Sequence, residues 1–191
     1  MYNDKTYTGN IINLIRDIKD KKYLELGIAD NINYNGILCQ NKYSVDTNGR
    51  ASFTGTTDQY FGQLDPGERF DIIYIDANHD YEYVLRDINN SILHCSEWIF
   101  IHDMVPPTKR HTEHSACSDS YKILYYMLKE RSDIIFYTMK NPIYFGLTLV
   151  KMPCSPFNPD PSFSQTTYEQ FVDDMKSRKL YSIDEIRSIL S

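Results

Sequence analysis

Apolar residues along this chain recur at two spacings, one helical and one continuous. Ile11, Ile12, Leu14, Ile15 and Ile18 return at helical intervals, which predicts an amphipathic cover helix over 8–20 with Thr8 at its start. Short apolar runs follow at 22–27 and 42–46, the first stopped by Gly27, the second by Asp46 and the turn pair Asn48-Gly49. Such runs predict parallel strands buried on both faces. Two more, 70–76 and 97–103, flank a segment over 81–94 with helical periodicity through Val84, Leu85, Ile88, Ile92 and Leu93. Strand, helix, strand is the repeating unit of a doubly wound α/β sheet.

Beyond the polar stretch 106–120, residues 121–128 predict a helix, then 134–138 and 144–150 predict strands. The short link at Asn141-Pro142 makes these two an antiparallel hairpin, because a parallel crossover needs a dozen or more residues. The proline-rich 153–162 reads as an extended strap and 167–191 as two short helices. A single domain over 1–152, with 153–191 packed on it, is the expected organisation, and 191 residues suit one core.

Strand ends then become the focus, since ligands of open α/β sheets bind outside the carboxyl ends of the strands. Four predicted strands end on Gly27, Asp46, Asp76 and Asp103. A carboxylate such as Asp46 can accept two ribose hydroxyls, and Gly27 permits a close backbone approach to a ligand. The G-x-G-x-x-G pyrophosphate fingerprint is absent, the chain running Gly27-Ile-Ala-Asp-Asn-Ile-Asn, so a cofactor without phosphates is favoured. Glu25, Gly27 and Asp30 or Asn31 would supply its polar contacts. Glu82, Arg86 and Asp87 read as solvated charges on the helix face, and His94 as structural.

Composition narrows the partners. A net charge of −6 argues against nucleic acid, whose affinity comes from Lys and Arg on phosphates. The polar start and the lack of any apolar run near the roughly 18 residues of a membrane span predict a cytoplasmic protein without a membrane partner. Four dispersed cysteines without a C-x-x-C pair predict reduced structural thiols. The 16 tyrosines and 9 phenylalanines suit amphipathic ligands.

Six segments carry a resemblance over nearly the whole chain: Tyr-Leu-Glu-Leu-Gly (23–27), Ser-Val-Asp (44–46), Gly-Thr-Thr-Asp-Gln-Tyr-Phe (55–61), Phe-Asp-Ile-Ile-Tyr-Ile-Asp-Ala-Asn-His-Asp-Tyr-Glu (70–82), Val-Leu-Arg-Asp-Ile (84–88) and Ile-His-Asp (101–103). Together they resemble the class I methyltransferases of glycan and secondary-metabolite pathways, the Asp-x-x-His-x-Tyr-Glu element being the most specific. The resemblance implies a Rossmann-like fold with a mostly parallel seven-stranded sheet and a C-terminal antiparallel hairpin. It implies an S-adenosylmethionine-dependent O-methyltransferase acting on a sugar or glycan hydroxyl. Glu25, Gly27, Asp30, Asn31, Asp46 and Asp76 would line the cofactor site, with Thr56, Thr57 and Asp58 near the adenine.

His79 takes the role of general base by the same resemblance, with Asp76 and Asp103 as its catalytic companions. A divalent ion, Mg²⁺ or Mn²⁺, would lie between Asp76 and the pair His102-Asp103. The chain departs from the family pattern at Asn31, where a second glycine is usual, at His102, where an acid is usual, and at Met104, where catechol-type relatives carry an amide. Other readings are a nucleotide-sugar or dinucleotide oxidoreductase, and a non-catalytic S-adenosylmethionine-binding subunit of a glycan-assembly complex. His79 has a structural alternative, bonded to Asp76 or Tyr81. His111, His114 and Cys117, three residues apart, are weighed as a zinc site against a loop, and 106–120 is expected to be an acceptor-binding lid. The sequence sets no oligomeric state.

Overall fold

The computed structural model describes residues 7–15, 17–113, 117–139 and 145–190. In chain order the elements are α1 (Tyr7–Ile15), β1 (Lys22–Leu26), α2 (Ile32–Gly36), β2 (Asn41–Asp46), β3 (Phe53–Thr54), α3 (Thr57–Gln63), β4 (Phe70–Ile75), α4 (Tyr81–His94), β5 (Cys95–His102), α5 (Tyr121–Glu130), β6 (Phe136–Thr138), β7 (Leu147–Lys151), α6 (Tyr168–Met175) and α7 (Ile183–Leu190). The strands form one seven-stranded sheet in the order β3-β2-β1-β4-β5-β7-β6. All pairs are parallel except those of β7, which runs antiparallel to both β5 and β6. The doubly wound sheet and the antiparallel C-terminal hairpin are thus as expected, while the Asn141-Pro142 link lies outside the described residues.

Side chains alternate across the central strands, and both faces are covered. Leu24, Leu26, Ile73, Ile75, Ile99 and Ile101 point to the face packed by Val84, Ile88 and Ile92 of α4 and by α5. Tyr23, Ile72, Tyr74, Trp98 and Phe100 point to the other, under Ile11, Ile12 and Ile15 of α1 and Ile186 of α7. This two-sided burial is why the strands read as continuous apolar runs. Phe157 of the strap and Phe171 of α6 belong to the first of these clusters. Among the described residues no helix is long and apolar enough to cross a membrane.

The differences from expectation are local. α1 ends at Ile15, and Ile18 enters the core from the turn that Lys21 closes by donating to the Ile18 carbonyl. Leu14 and Leu93, placed in apolar stripes by spacing, are exposed. β3 is two residues long, too short for any periodic pattern, yet it pairs Phe53 with Val45 and Thr54 with Asp46. α3 begins with a capping box between Thr56 and Gln59, a signal present in the sequence as Thr-x-x-Gln.

Candidate functional site

The order of the sheet places the carboxyl ends of β1 and β4 side by side at the point where the chain reverses direction of winding. A cavity of about 560 Å³ opens there, lined by Gly27 and Ala29 after β1, Asp46 and Thr47 at β2, Thr56 and Thr57 before α3, Asp76 to Asn78 after β4, and Tyr83 and Asp87 on α4. Its size is that of a small-molecule or cofactor site.

Gly27 is required by geometry, for a different reason than ligand approach. Its φ is +84°, and a Cβ there would lie 2.2 Å from the Asp76 carbonyl oxygen and 2.7 Å from the Ala77 Cα. Glycine therefore lets the β1 and β4 ends close on each other. Ala29 (φ 43°) and Asn31 (φ 69°) continue the turn in left-handed geometry. Asparagine tolerates this conformation, so the loop forms without the second glycine. Asp46 holds it: Oδ2 accepts from the backbone N–H of Ile28 at 2.8 Å and of Ala29 at 3.0 Å, and Oδ1 accepts from Asn48 N–H at 2.9 Å. Both Oδ2 lone pairs are thereby engaged, which leaves Oδ1 as the oxygen with capacity for a ligand hydroxyl.

Four residues expected at the cofactor do not line this cavity. Glu25 is buried behind the strand ends, where its carboxylate accepts from Tyr23 Oη at 2.8 Å and Asn33 Nδ2 at 3.1 Å. Burial pushes its pKa up to about 8 against these two hydrogen bonds. Asp30 accepts from Ile32 N–H within its own turn, and Asp58 is turned outward to Arg86 at 3.0 Å. None of Glu25, Asp30, Asn31 and Asp58 lines the cavity. Asn31 keeps a buried Oδ1 without a hydrogen-bond partner in the structure.

Asp87 moves the other way. Its side chain is buried and faces the cavity, although a charge on a helix suggests a solvated face. The signal was its spacing: it shares the buried stripe of α4 with Val84, Ile88 and Ser91.

The proton-handling groups converge at one rim of the cavity. The register that pairs Ile75 with Ile101 sets Asp76 beside His102 at the ends of β4 and β5. His102 Nδ1 lies 3.1 Å from both Asp76 Oδ1 and Asp103 Oδ1. His79 Nε2 lies 3.2 Å from Asp76 Oδ1, and its Nδ1 lies 3.7 Å from Asp103 Oδ2. Tyr74, two residues before Asp76, donates to Asp76 Oδ2 at 2.9 Å, as Tyr23 does to Glu25 on the neighbouring strand. Asp103 adopts φ 56°, a strained value for a side chain that must point back into the cluster.

Charge in this cluster is mutually supported. Burial disfavours a proton on His102, but Asp76 and Asp103 outweigh it and raise the pKa to about 10. Burial likewise opposes the charge on Asp76, and His102 and His79 overcome it, holding the carboxyl well below its usual range.

The donor atoms of Asp76, His79, His102 and Asp103 all lie within 4.8 Å of one another, the one such group of three or more His, Cys, Asp or Glu among the described residues. Ligands on a divalent cation with bonds near 2.1 Å are roughly 3–4 Å apart, so these four groups would have to draw slightly together to hold one. His111 instead bonds Thr108 Oγ1 at 2.8 Å and packs on Phe145, Cys117 is buried, and His114 lies outside the described residues. A more open cavity of about 760 Å³ runs along the start of α4, Thr112 and Glu113, and the start of α5, and it shares Tyr83 with the first.

No protein-family model matches the chain, and no curated protein does. Solved structures do. An O-methyltransferase from Bacillus cereus in complex with SAH is 12% identical, with a TM-score of 0.58 over 76% of this chain and 80% of its own. The O-methyltransferase TomG from Streptomyces achromogenes, in complex with SAM, is 15% identical, with a TM-score of 0.58 over 76% and 78%. SAH-bound PaMTH1 of Podospora anserina is 19% identical, with a TM-score of 0.51 over 75% and 76%. The fold of this chain is therefore the Rossmann-like methyltransferase fold.

Proposed function

We propose that this protein is an S-adenosylmethionine-dependent O-methyltransferase acting on a hydroxyl of a sugar or glycan. The observation that carries this reading is the double position of Asp76, which lines the cavity at the switch point and also bonds His79 and His102. Cofactor binding and proton handling thus meet at one carboxylate.

With its proton on Nε2, bonded to Asp76, His79 carries its lone pair on Nδ1. This atom would take the acceptor's hydroxyl proton, while bound S-adenosylmethionine would supply the methyl group, its sulfur retaining the electron pair of the broken bond. Asp103 Oδ2, 3.7 Å from Nδ1, balances the charge that then forms on the imidazole. Gly27 and Ala29, Asp46 and the Thr56–Thr57 turn would hold the amino-acid, ribose and base portions of the cofactor in order along the cavity.

Asp76 and Asp103 would hold a divalent cation, joined by His102 once cation binding displaces the proton it otherwise shares with them. Such an ion would lower the pKa of the acceptor hydroxyl. Carboxylates suit both Mg²⁺ and Mn²⁺, whereas the imidazole donor favours Mn²⁺. The neighbouring cavity, with Tyr81, Tyr83 and Tyr121 among carboxylates and hydroxyls, has the mixed aromatic and polar lining that a sugar needs.

Calorimetric titration with S-adenosylmethionine, then a methyl-transfer assay on deoxysugar and nucleotide-sugar panels, tests the reading. His79→Ala should keep cofactor binding and lose about 10²–10⁴-fold in kcat. Absence of cofactor binding by the wild type overturns the proposal, and full turnover in His79→Ala removes His79 as the base.

A further inference from the structure

Asp87 is a carboxylate that the catalytic scheme above leaves unused. It is 2% exposed and faces the cavity from α4, one turn after Tyr83, which lines the same wall. Residues four apart on a helix share a face, so the ring and the carboxylate present one composite surface. Thr57, at the start of α3 and lining the same cavity, donates a side-chain hydrogen bond to Asp87. An ionised carboxylate has about four lone-pair sites, so one bond from Thr57 leaves acceptor capacity on a carboxylate that lines the cavity. Burial pushes its pKa up to about 6, with the Thr57 bond opposing. At pH 7.5 it is therefore an acceptor.

The position of the base follows from the other contacts, and this step rests on the cofactor reading above. A cofactor with its ribose at Asp46 and its sulfonium near Asp76 must send its base away from both, toward Thr56, Thr57 and α4. Burying a carboxylate there costs free energy unless a donor meets it. Asp58, the acid nearer in sequence to that turn, is engaged by Arg86 at the surface.

We propose that Asp87 is the residue that selects the cofactor's base: its carboxylate accepts a hydrogen bond from an exocyclic amino group, with Tyr83 packed against the ring. A base carrying a carbonyl at that position would set an oxygen against the carboxylate and be rejected. Sites built to bond a ligand N–H discriminate strongly against analogues that lack it.

Calorimetry with S-adenosylhomocysteine and S-inosylhomocysteine, which differ by amino group against carbonyl, tests this on the full chain. The wild type should bind the adenosyl ligand about 30-fold more tightly or better. Asp87→Asn, whose amide both donates and accepts, should bring the ratio near one, an effect that loss of packing alone would not produce. Equal binding of the two ligands by the wild type overturns the inference and leaves the cofactor reading intact, and needs no variant to fold. An unchanged ratio in folded Asp87→Asn overturns it as well. Binding of neither ligand by the wild type overturns the cofactor reading, and the inference falls with it.

Discussion

Asp76 Oδ1 and His102 Nδ1 lie 3.1 Å apart at the ends of adjacent parallel strands. The bond gives two neighbouring carboxylates, Asp76 and Asp103, a shared positive partner in a part-buried site. Replacing His102 by Ala leaves the two acids facing each other without it. The expected loss is about 3 kcal/mol of stability, since breaking one member of a buried ionic group strands the rest. Urea denaturation at pH 7 checks this, and added Mn²⁺ should recover part of the loss if the acids bind a cation.

Glu25 makes stability fall as pH rises. Its folded pKa is raised to about 8 from an ordinary value of 4.5, so between these values the folded chain holds a proton that the unfolded chain has released. The difference in bound protons gives a negative slope of stability with pH in that window. Glu25→Gln, which carries no proton to release, should flatten the slope and be more stable than wild type at pH 8 by on the order of 3 kcal/mol. Denaturation midpoints at pH 5, 6.5 and 8 give the comparison, and parallel curves for the two proteins would refute the assignment.

Gly27→Ala should be among the most damaging small substitutions. The added methyl meets backbone atoms of Asp76 and Ala77 rather than a side chain that can swing aside, and φ is +84°. A destabilisation of about 2 kcal/mol or more is expected, with loss of S-adenosylmethionine binding. Thermal melts and calorimetry measure the two effects separately.

Asp46→Asn tests the division of labour within one carboxylate. The amide retains a single oxygen for the three backbone N–H groups that now bond Oδ1 and Oδ2. Stability should drop by about 1–2 kcal/mol, and cofactor affinity should drop further than stability alone explains. Melting curves with and without S-adenosylmethionine separate the contributions, and an unchanged cofactor shift would exclude Asp46 from the ligand contacts.

The sequence by itself determined the central strands of the sheet. Buried parallel strands need uninterrupted apolar runs, so β1, β4 and β5 were legible, as was α4, whose apolar spacing covers the observed Tyr81–His94. It also marked the strand ends, because carboxylates or a glycine close these runs at the edge of an α/β sheet where ligands bind. What it could not decide was which polar side chains face the cavity. Asp58 and Asp87 are both acids near the same turn, and Glu25 and Asp46 both sit on strands. Only the packing of α4 against the sheet buries Asp87 and frees Asp58 to meet Arg86, and only the pairing of β1 with β4 hides Glu25 behind Tyr23. The cluster of Asp76, His79, His102 and Asp103 likewise needed the β4–β5 register and the left-handed turn at Asp103. Local pattern sets which face of an element is apolar, whereas the direction of a polar side chain depends on partners contributed from distant parts of the chain.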